Sequence, residues 1–347
     1  MRHIVITAAQ VPFQAGGAEW HLDALRAELV RRGHKVDVVQ VPFQWSPREA
    51  ALRNALAWRL LDLTESNGTP IDLVIGTRFP SYAARHPNKV VWLFHQFRQA
   101  YDLHDAGIDG FPDTAKGRRL RQRFVAMDTQ ILSECRRVFT TSRNNAERMR
   151  RYNGLDAELL RLPLLDPDSY RDRGFEGFVL SVGRLDRLKR TERLIEAAAR
   201  MTRPAPIVVV GQGPEREALE RLAEVRGLAP RVRFLGRVDD AALKDLYGRC
   251  SAVYYAPHDE DYGLVTLEAF QSGKPVVTTV DSGGPLEFVR DGETGFVADD
   301  DAAAIAAALD RATGDEALAR GLGAAARESV QGIRWEPVVD ALTATLR

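Results

Sequence analysis

Two periodicities alternate along most of the chain. Short apolar, β-branched runs occur at His3 to Thr7, Val36 to Val41, Leu73 to Ile75, Val90 to Phe94 and Val138 to Thr141, separated by amphipathic stretches such as Ala18 to Arg32. A strand that is apolar on both faces belongs in a parallel sheet covered by helices on each side, so the first half reads as a doubly wound α/β domain. Around Leu162-Pro163-Leu164-Leu165-Asp166-Pro167-Asp168-Ser169 the alternation stops, and Pro, Asp and Gly residues continue to Gly177. It resumes with Phe178 to Val182, Ile207 to Val210, Val232 to Leu235, Ala252 to Tyr255, Val276 to Thr279 and Gly295 to Val297. The break marks a linker. Two Rossmann-like domains, residues 1–168 and 169–334, are expected to face a central cleft, with ligands at the C-terminal ends of the strands. Apolar residues from Trp335 to Leu346 recur at helical spacing, and this last helix, about 335–347, is expected to pack back on the N-terminal domain.

Composition adds limits. At 347 residues the chain has room for two cores, and 45% hydrophobic content fits a folded globular protein. Equal numbers of basic and acidic side chains, 48 each, argue against a protein held on nucleic acid by bulk charge. The balance conceals an asymmetry, because residues 1–173 carry 26 basic and 20 acidic side chains while residues 174–347 carry 22 and 28. The two cysteines, Cys135 and Cys250, form no CxxC and indicate neither a disulfide framework nor a cysteine zinc site. Met1-Arg2-His3-Ile4-Val5-Ile6 enters a strand-like run without a signal-peptide pattern, and no apolar stretch approaches the ~18 residues of a membrane span, so a cytoplasmic address is expected.

The strongest local signal is Asp259-Glu260-Asp261-Tyr262-Gly263-Leu264-Val265-Thr266-Leu267-Glu268, followed by Gly273-Lys274-Pro275 and Ser282-Gly283-Gly284. It places one carboxylate in the loop after a strand, a glycine at a helix start, and a second carboxylate farther along that helix. Backbone N–H groups near Gly263, Leu264 and Val265 can bind an anion such as a diphosphate, with Glu268 in reach of a sugar or ribose hydroxyl. Two acidic residues in a helical region are by themselves only a solvated face. Val182-Gly183-Arg184-Leu185-Asp186-Arg187-Leu188-Lys189 adds two cations in a strand-to-helix loop, where they can neutralise a diphosphate. Gln14-Ala15-Gly16-Gly17-Ala18-Glu19, between the first strand and the first helix, adds paired glycines that let backbone amides approach a ligand closely.

In this order, together with the internal His95 after a strand, Gly211-Gln212-Gly213-Pro214-Glu215 and the Glu-x7-Glu pair Glu260 and Glu268, the motifs resemble family 4 glycosyltransferases of the GT-B fold across nearly the whole chain. The resemblance implies a retaining enzyme that moves a sugar from a UDP- or GDP-sugar to an acceptor hydroxyl, as in cell-surface glycan or glycolipid synthesis. It implies that Arg184 and Lys189 bind the donor diphosphate with help from the amides of Gly263 to Val265, that Glu260 and His95 contact the donor sugar, that Glu268 binds ribose, and that Gly16 and Gly17 face the transferred group. Arg237 and Val238, in Val232-Arg233-Phe234-Leu235-Gly236-Arg237-Val238, fall where backbone meets the base edge. Where the family commonly has a short residue and Phe-Gly after the first Glu, this chain has Asp261-Tyr262-Gly263, so a differently shaped sugar pocket is expected. No metal or other cofactor is expected, because Arg184 and Lys189 supply the positive charge.

Other patterns carry less. Gly211-Gln212-Gly213 has two glycines of a dinucleotide fingerprint, but Arg216 stands at the third position, so tight packing is favoured over NAD binding. His104 with Asp102 and Asp105 lacks metal-ligand spacing. Asp166-Pro167-Asp168 looks like a metal-binding DxD but lies in the linker, and no GxSxG nucleophile elbow occurs. Lys116 to Arg123 and then Arg148, Arg150 and Arg151 read as solvated helix faces, with an anionic lipid surface or a phosphorylated acceptor as the sharper alternative; peripheral membrane contact through the basic half stays open on this ground. Leu52 to Leu63, with Trp58, reads as a core-packing helix rather than an interfacial one. A glycan, lipid-linked or small-molecule acceptor is expected. The competing functional readings are a GT-B-like nucleotide-sugar epimerase, a nucleotide-sugar-binding module without turnover and, more distantly, an NAD oxidoreductase.

Overall fold

The computed structural model describes residues 1–10, 17–44 and 46–346. The chain forms two compact units, Met1–Leu165 with Arg334–Arg347, and Asp166–Ile333.

Unit 1 is built on β1 (His3–Gln10), β2 (Lys35–Pro42), the small antiparallel pair β3 (Glu65–Ser66) and β4 (Thr69–Pro70), β5 (Leu73–Gly76), β6 (Lys89–Leu93), β7 (Arg137–Thr140) and β8 (Glu158–Leu159). Its main sheet runs β2-β1-β5-β6-β7-β8, every pair parallel. Burial follows position. β1, β5 and β6 lie inside the sheet and are buried nearly throughout, whereas the edge strand β2 alternates exposed and covered residues. The two-residue edge strand β8 and the β3/β4 pair lack the apolar runs from which strands were expected; β1 runs three residues past the expected Thr7, and the other strand ends shift by a residue or so.

Aromatic rings fill one side of this sheet, with Phe124 packed 4.9 Å from Phe79 and 5.1 Å from Phe97. The helix Glu49–Arg59 buries Trp58, Ala50, Ala51 and Ala55, the core-packing outcome, while Leu56 and Leu60 remain exposed. The last helix, Trp335–Thr343, belongs to unit 1: Trp335 donates its indole N–H to the Leu164 carbonyl at 3.1 Å and stands edge-on to Trp92.

Unit 2 contains β9 (Val179–Val182), β10 (Ile207–Val210), β11 (Val232–Gly236), β12 (Ala252–Tyr254), β13 (Val276–Thr279) and β14 (Gly295–Ala298). They form one parallel sheet in the order β11-β10-β9-β12-β13-β14. Numbered within the unit, this is 3-2-1-4-5-6, the doubly wound order whose direction reverses between its first and fourth strands. The loops leaving β9 and β12 therefore diverge from neighbouring strands at the switch point, where such sheets leave a crevice. Among the described residues no helix is long and apolar enough to cross a membrane.

One expectation about unit 1 is corrected. Arg148 does not lie on a solvated face with Arg150 and Arg151; it is buried, pairing with Asp102 at 2.9 Å and donating to Asn145 Oδ1. Helical spacing alone does not distinguish an exposed Arg from one whose carboxylate partner arrives from another element.

Candidate functional site

At the switch point of unit 2, β9 is followed by Gly183, which has φ +153° and donates its amide N–H to the Val210 carbonyl. Gly211 and Gly213 support this turn from beneath. A Cβ on Gly211 would lie 1.8 Å from the Gly183 carbonyl oxygen, and one on Gly213 would lie 2.2 Å from that of Leu185. The Leu185 amide donates to Gln212, and Glu215 donates back to Leu185. The paired glycines of residues 211–213 thus serve close loop packing.

This turn carries Arg184 and Lys189. The Arg184 side chain is 62% exposed and its guanidinium lies 3.7 Å from Asp186, so its charge faces solvent. Lys189 is only 23% exposed; its ammonium pairs with Glu260 and lies 3.2 Å from the Tyr255 hydroxyl. Burial pulls the Lys189 pKa down, but the Glu260 carboxylate and Tyr255 outweigh it and hold the amine above its usual range. Burial likewise pushes the Tyr255 phenol up. Lys189 is therefore a fixed cation.

Glu260, itself 20% exposed, belongs to the loop after β12. That loop is stitched to the Ser282-Gly283-Gly284 turn, with the Glu260 amide donating to Ser282 and the Gly284 amide donating to Glu260. The helix Leu264–Gln271 follows, capped by Gly263 at φ +86°. A side chain there would adopt a strained backbone and press on Pro285 and Tyr255 at 3.0–3.1 Å. The first-turn amides of Leu264 and Val265 have no acceptor within their own helix, which makes this end an anion-binding element. Tyr262 is buried edge-on to Phe288.

Glu268 lies one turn into the same helix. It accepts hydrogen bonds from the Tyr247 hydroxyl at 2.6 Å and the Tyr170 hydroxyl at 3.3 Å, and burial raises its pKa. At 1.5 Å rise per residue, roughly 6 Å separate it along the axis from the Leu264 amide.

Arg190, buried and with φ +48°, was not singled out from the sequence. Its guanidinium forks onto Asp281 at 2.7 and 2.8 Å and donates to Thr279 and to the carbonyls of Ala256 and Pro257. Burial alone would raise the Asp281 pKa, but Arg190 and Thr279 together hold it down at about 2. One guanidinium thus pins the loops after β9, β12 and β13 together. The only sequence signal was its adjacency to Lys189 and the place of Asp281 before the Ser-Gly-Gly turn.

The remaining expected residues fall as follows. Arg237 is exposed and Val238 half-buried, just beyond β11, whose terminal Gly236 has φ +69° and accepts from the Gly211 amide. In unit 1, His95 is half-buried beyond the end of β6, with Nδ1 3.1 Å from the Gln96 carbonyl. Gly17 opens the helix Gly17–Arg31 after β1, while Gly16 lies outside the described residues. The structure pairs Lys189 with Glu260 and places Arg184 on the loop after β9, and Gly263 to Val265 and Glu268 on the segment after β12, all within unit 2. His95 and Gly17 belong to unit 1.

Asp102 and Asp105 are engaged by Arg98, Arg148, Arg121 and Tyr152, and among the described residues no group of three His, Cys, Asp or Glu is placed to hold a metal. A cavity of about 710 Å³ opens at the opposite, N-terminal edge of the unit 1 sheet. Of its cations, Arg59 pairs with Glu134 and Lys89 donates to the Tyr82 and Ala84 carbonyls, while Arg85 is exposed.

Comparison with known proteins covers both units. The family described as "Glycosyltransferase Family 4" matches residues 15–162, and "Glycosyl transferases group 1" matches residues 167–329. A D-inositol 3-phosphate glycosyltransferase of Geodermatophilus obscurus is 38% identical over 183 residues, 48% of this chain and 39% of the relative. The lipopolysaccharide core biosynthesis glycosyltransferase LpsE of Rhizobium meliloti is 35% identical over 165 residues, 47% of each chain. The chain thus matches less than half the length of these curated relatives. Among solved structures, sucrose-phosphate synthase from Thermosynechococcus elongatus superposes with a TM-score of 0.75 at 21% identity, over 99% of this chain and 98% of its own. Anabaena HepE, in complex with UDP and glucose, gives 0.71 at 18%, over 99% of both chains. With one model on each unit and the fold shared end to end, the chain belongs to the family 4 glycosyltransferases of the GT-B fold.

Proposed function

We propose that this protein is a retaining glycosyltransferase that transfers a sugar from a UDP- or GDP-sugar to an acceptor hydroxyl. The observation that carries the reading is the Lys189–Glu260 pair, which joins the loops after β9 and β12 at the unit 2 switch point; Arg184 stands on the first of these loops, and the helix start at Gly263 and Glu268 follow the second. A nucleoside diphosphate needs that set: positive charge and N–H groups at the phosphates, and a carboxylate for the ribose diol.

In this reading Arg184 and Lys189 take the diphosphate, and the Gly263 to Val265 amides assist. As the bond from the anomeric carbon to the phosphate oxygen lengthens, negative charge grows on the phosphate and positive charge on the sugar. Fixed donors aimed at the growing charge lower the barrier, and removing one commonly costs about 100-fold or more in rate. Glu260 orients Lys189 and contacts the sugar hydroxyls. The acceptor oxygen attacks from the face the phosphate leaves, forming the new bond to the anomeric carbon, and its proton passes to the departing phosphate. No protein base and no metal are called on. The acceptor is a glycan, a lipid-linked saccharide or a small molecule, and the exposed Arg119 and Arg123 of the helix Ala115–Ser133 offer positive charge to an anionic or membrane-borne one. The relatives named for inositol-phosphate and lipopolysaccharide substrates fit that range.

Two measurements test it. A panel of UDP-, GDP- and ADP-sugars is scored by thermal shift; a true donor at 100 times its dissociation constant adds about 2.7 kcal/mol of stability. Product formation is then compared for the wild type and Lys189→Ala. The expected outcome is transfer to acceptor in the wild type and a loss of about 100-fold or more in the variant. Near-normal turnover by Lys189→Ala overturns the assignment, and conversion of donor without acceptor points to epimerisation instead.

A further inference from the structure

Glu268 is held by two phenols that reach it from separate elements. Tyr247 comes from the helix Asp240–Arg249, and Tyr170 comes from the segment just after the short helical turn Pro167–Ser169. Both rings are buried, 6.0 Å apart and edge-on to one another. Lys244 lies over the Tyr170 ring at 5.3 Å and is itself anchored by Asp240 at 2.6 Å. A carboxylate accepts about four hydrogen bonds, so the two phenols occupy roughly half its capacity and set its orientation. The remaining lone pairs stay available on a helix whose first amides lie one turn away.

We propose that Tyr247 and Tyr170 are positioning residues of the donor site, orienting the ionised Glu268 carboxylate so that its unfilled acceptor positions meet the ribose hydroxyls of the nucleotide. This rests on the donor reading given above. A purely structural need would be met by any acceptor for two buried hydroxyls. Burial penalises an ionised carboxylate unless hydrogen bonds compensate it, and the two phenols fill only part of its capacity, on a helix that starts at the switch point. The groups facing Glu268 are Tyr170, Tyr247, Asp240 and Lys244. Burial is the largest influence and raises its pKa, the two phenol bonds oppose it, and Asp240 and Lys244 pull in opposite directions. Removing the phenols therefore leaves a carboxylate that protonates more readily.

The test uses the full chain, with UDP, GDP and their 2′-deoxy and 3′-deoxy counterparts as calorimetric probes. Tyr247→Phe is expected to bind the ribonucleotide about tenfold more weakly, the size of one charge-assisted hydrogen bond, and to bind the deoxy probe with the missing contact nearly as the wild type does. Tyr170→Phe, with its longer bond, is expected to show a smaller loss in the same sense. In both variants the pH at which ribonucleotide affinity declines on acidification moves upward. If the variants melt earlier but keep the wild-type preference for ribose and the wild-type pH profile, the tyrosines are structural and the proposal fails. Wild-type binding of every probe by Glu268→Gln and Glu268→Ala removes instead the ribose role of Glu268, a separate outcome.

Discussion

Each unit contains an acidic side chain clasped by two tyrosine hydroxyls, and the two differ in what surrounds them. In unit 1, Asp128 on the helix Ala115–Ser133 accepts from Tyr82 and Tyr101, is wholly buried, and continues through Asn153 to Gln96 by hydrogen bonds. In unit 2, Glu268 has nearly the same partners but is only partly buried and sits on the helix that leaves the switch point. Local chemistry alone would assign both the same role. Place in the fold separates them: Asp128 is sealed within unit 1, whereas Glu268 lies one turn from the open amides of a helix that starts at the strand ends, which is the ground of the ribose role proposed for it.

The largest effect expected from breaking this comparison is on stability. Asp128→Ala leaves two buried phenols without their acceptor, each costing about 1–3 kcal/mol, so urea unfolding should detect a loss of several kcal/mol. Glu268→Ala should instead weaken donor binding with a smaller change in unfolding. If the two substitutions produced the same pattern, exposure would not be what distinguishes the sites.

A second effect concerns what holds the unit 2 loops in place. Arg190→Lys keeps the charge but loses the fork onto Asp281 and the reach to two carbonyls. It should lower unfolding stability by about 1–3 kcal/mol and weaken nucleotide binding, though Arg190 itself is buried in loop contacts. Unchanged nucleotide affinity in a destabilised protein would show that Lys189 and Glu260 keep their geometry without the clamp.

A third effect is a pH slope. Burial raises the Asp128 pKa to about 6, above the ~3.9 of an unfolded carboxylate, despite the two phenol bonds that oppose the shift. The folded state then binds the proton more tightly. The contribution of this group favours folding below about pH 4, declines as pH rises toward 6, and is constant above that. Asp128→Asn, which cannot ionise, should remove that decline. A wild-type and variant difference that stays flat from pH 4 to 7 would mean that Asp128 does not titrate in this range.

Much of the fold was legible because burial on both faces writes continuous apolar runs into a parallel strand; β5, β6, β10 and β13 appear in the sequence almost as they stand. The cations and carboxylates at the switch point were legible because strand, glycine and helix follow within a few residues, as they do from Val182 to Lys189. The residues that hold them were not. Arg190 meets Asp281 across 91 positions, and Tyr170 meets Glu268 across 98, so nothing in a local window links the partners. Arg148 was misread for the same reason, since its acid, Asp102, approaches from a separate helix.

The return of the helix Trp335–Thr343 to unit 1 has a consequence for biosynthesis. Because unit 2 is written as an insertion within unit 1, a ribosome finishes all of unit 2 before it releases the Trp335 indole that caps the Leu164 carbonyl and packs on Trp92. The unit begun first is thus completed last, and until that helix emerges the nascent chain carries a sheet whose Trp92 side lacks part of its cover.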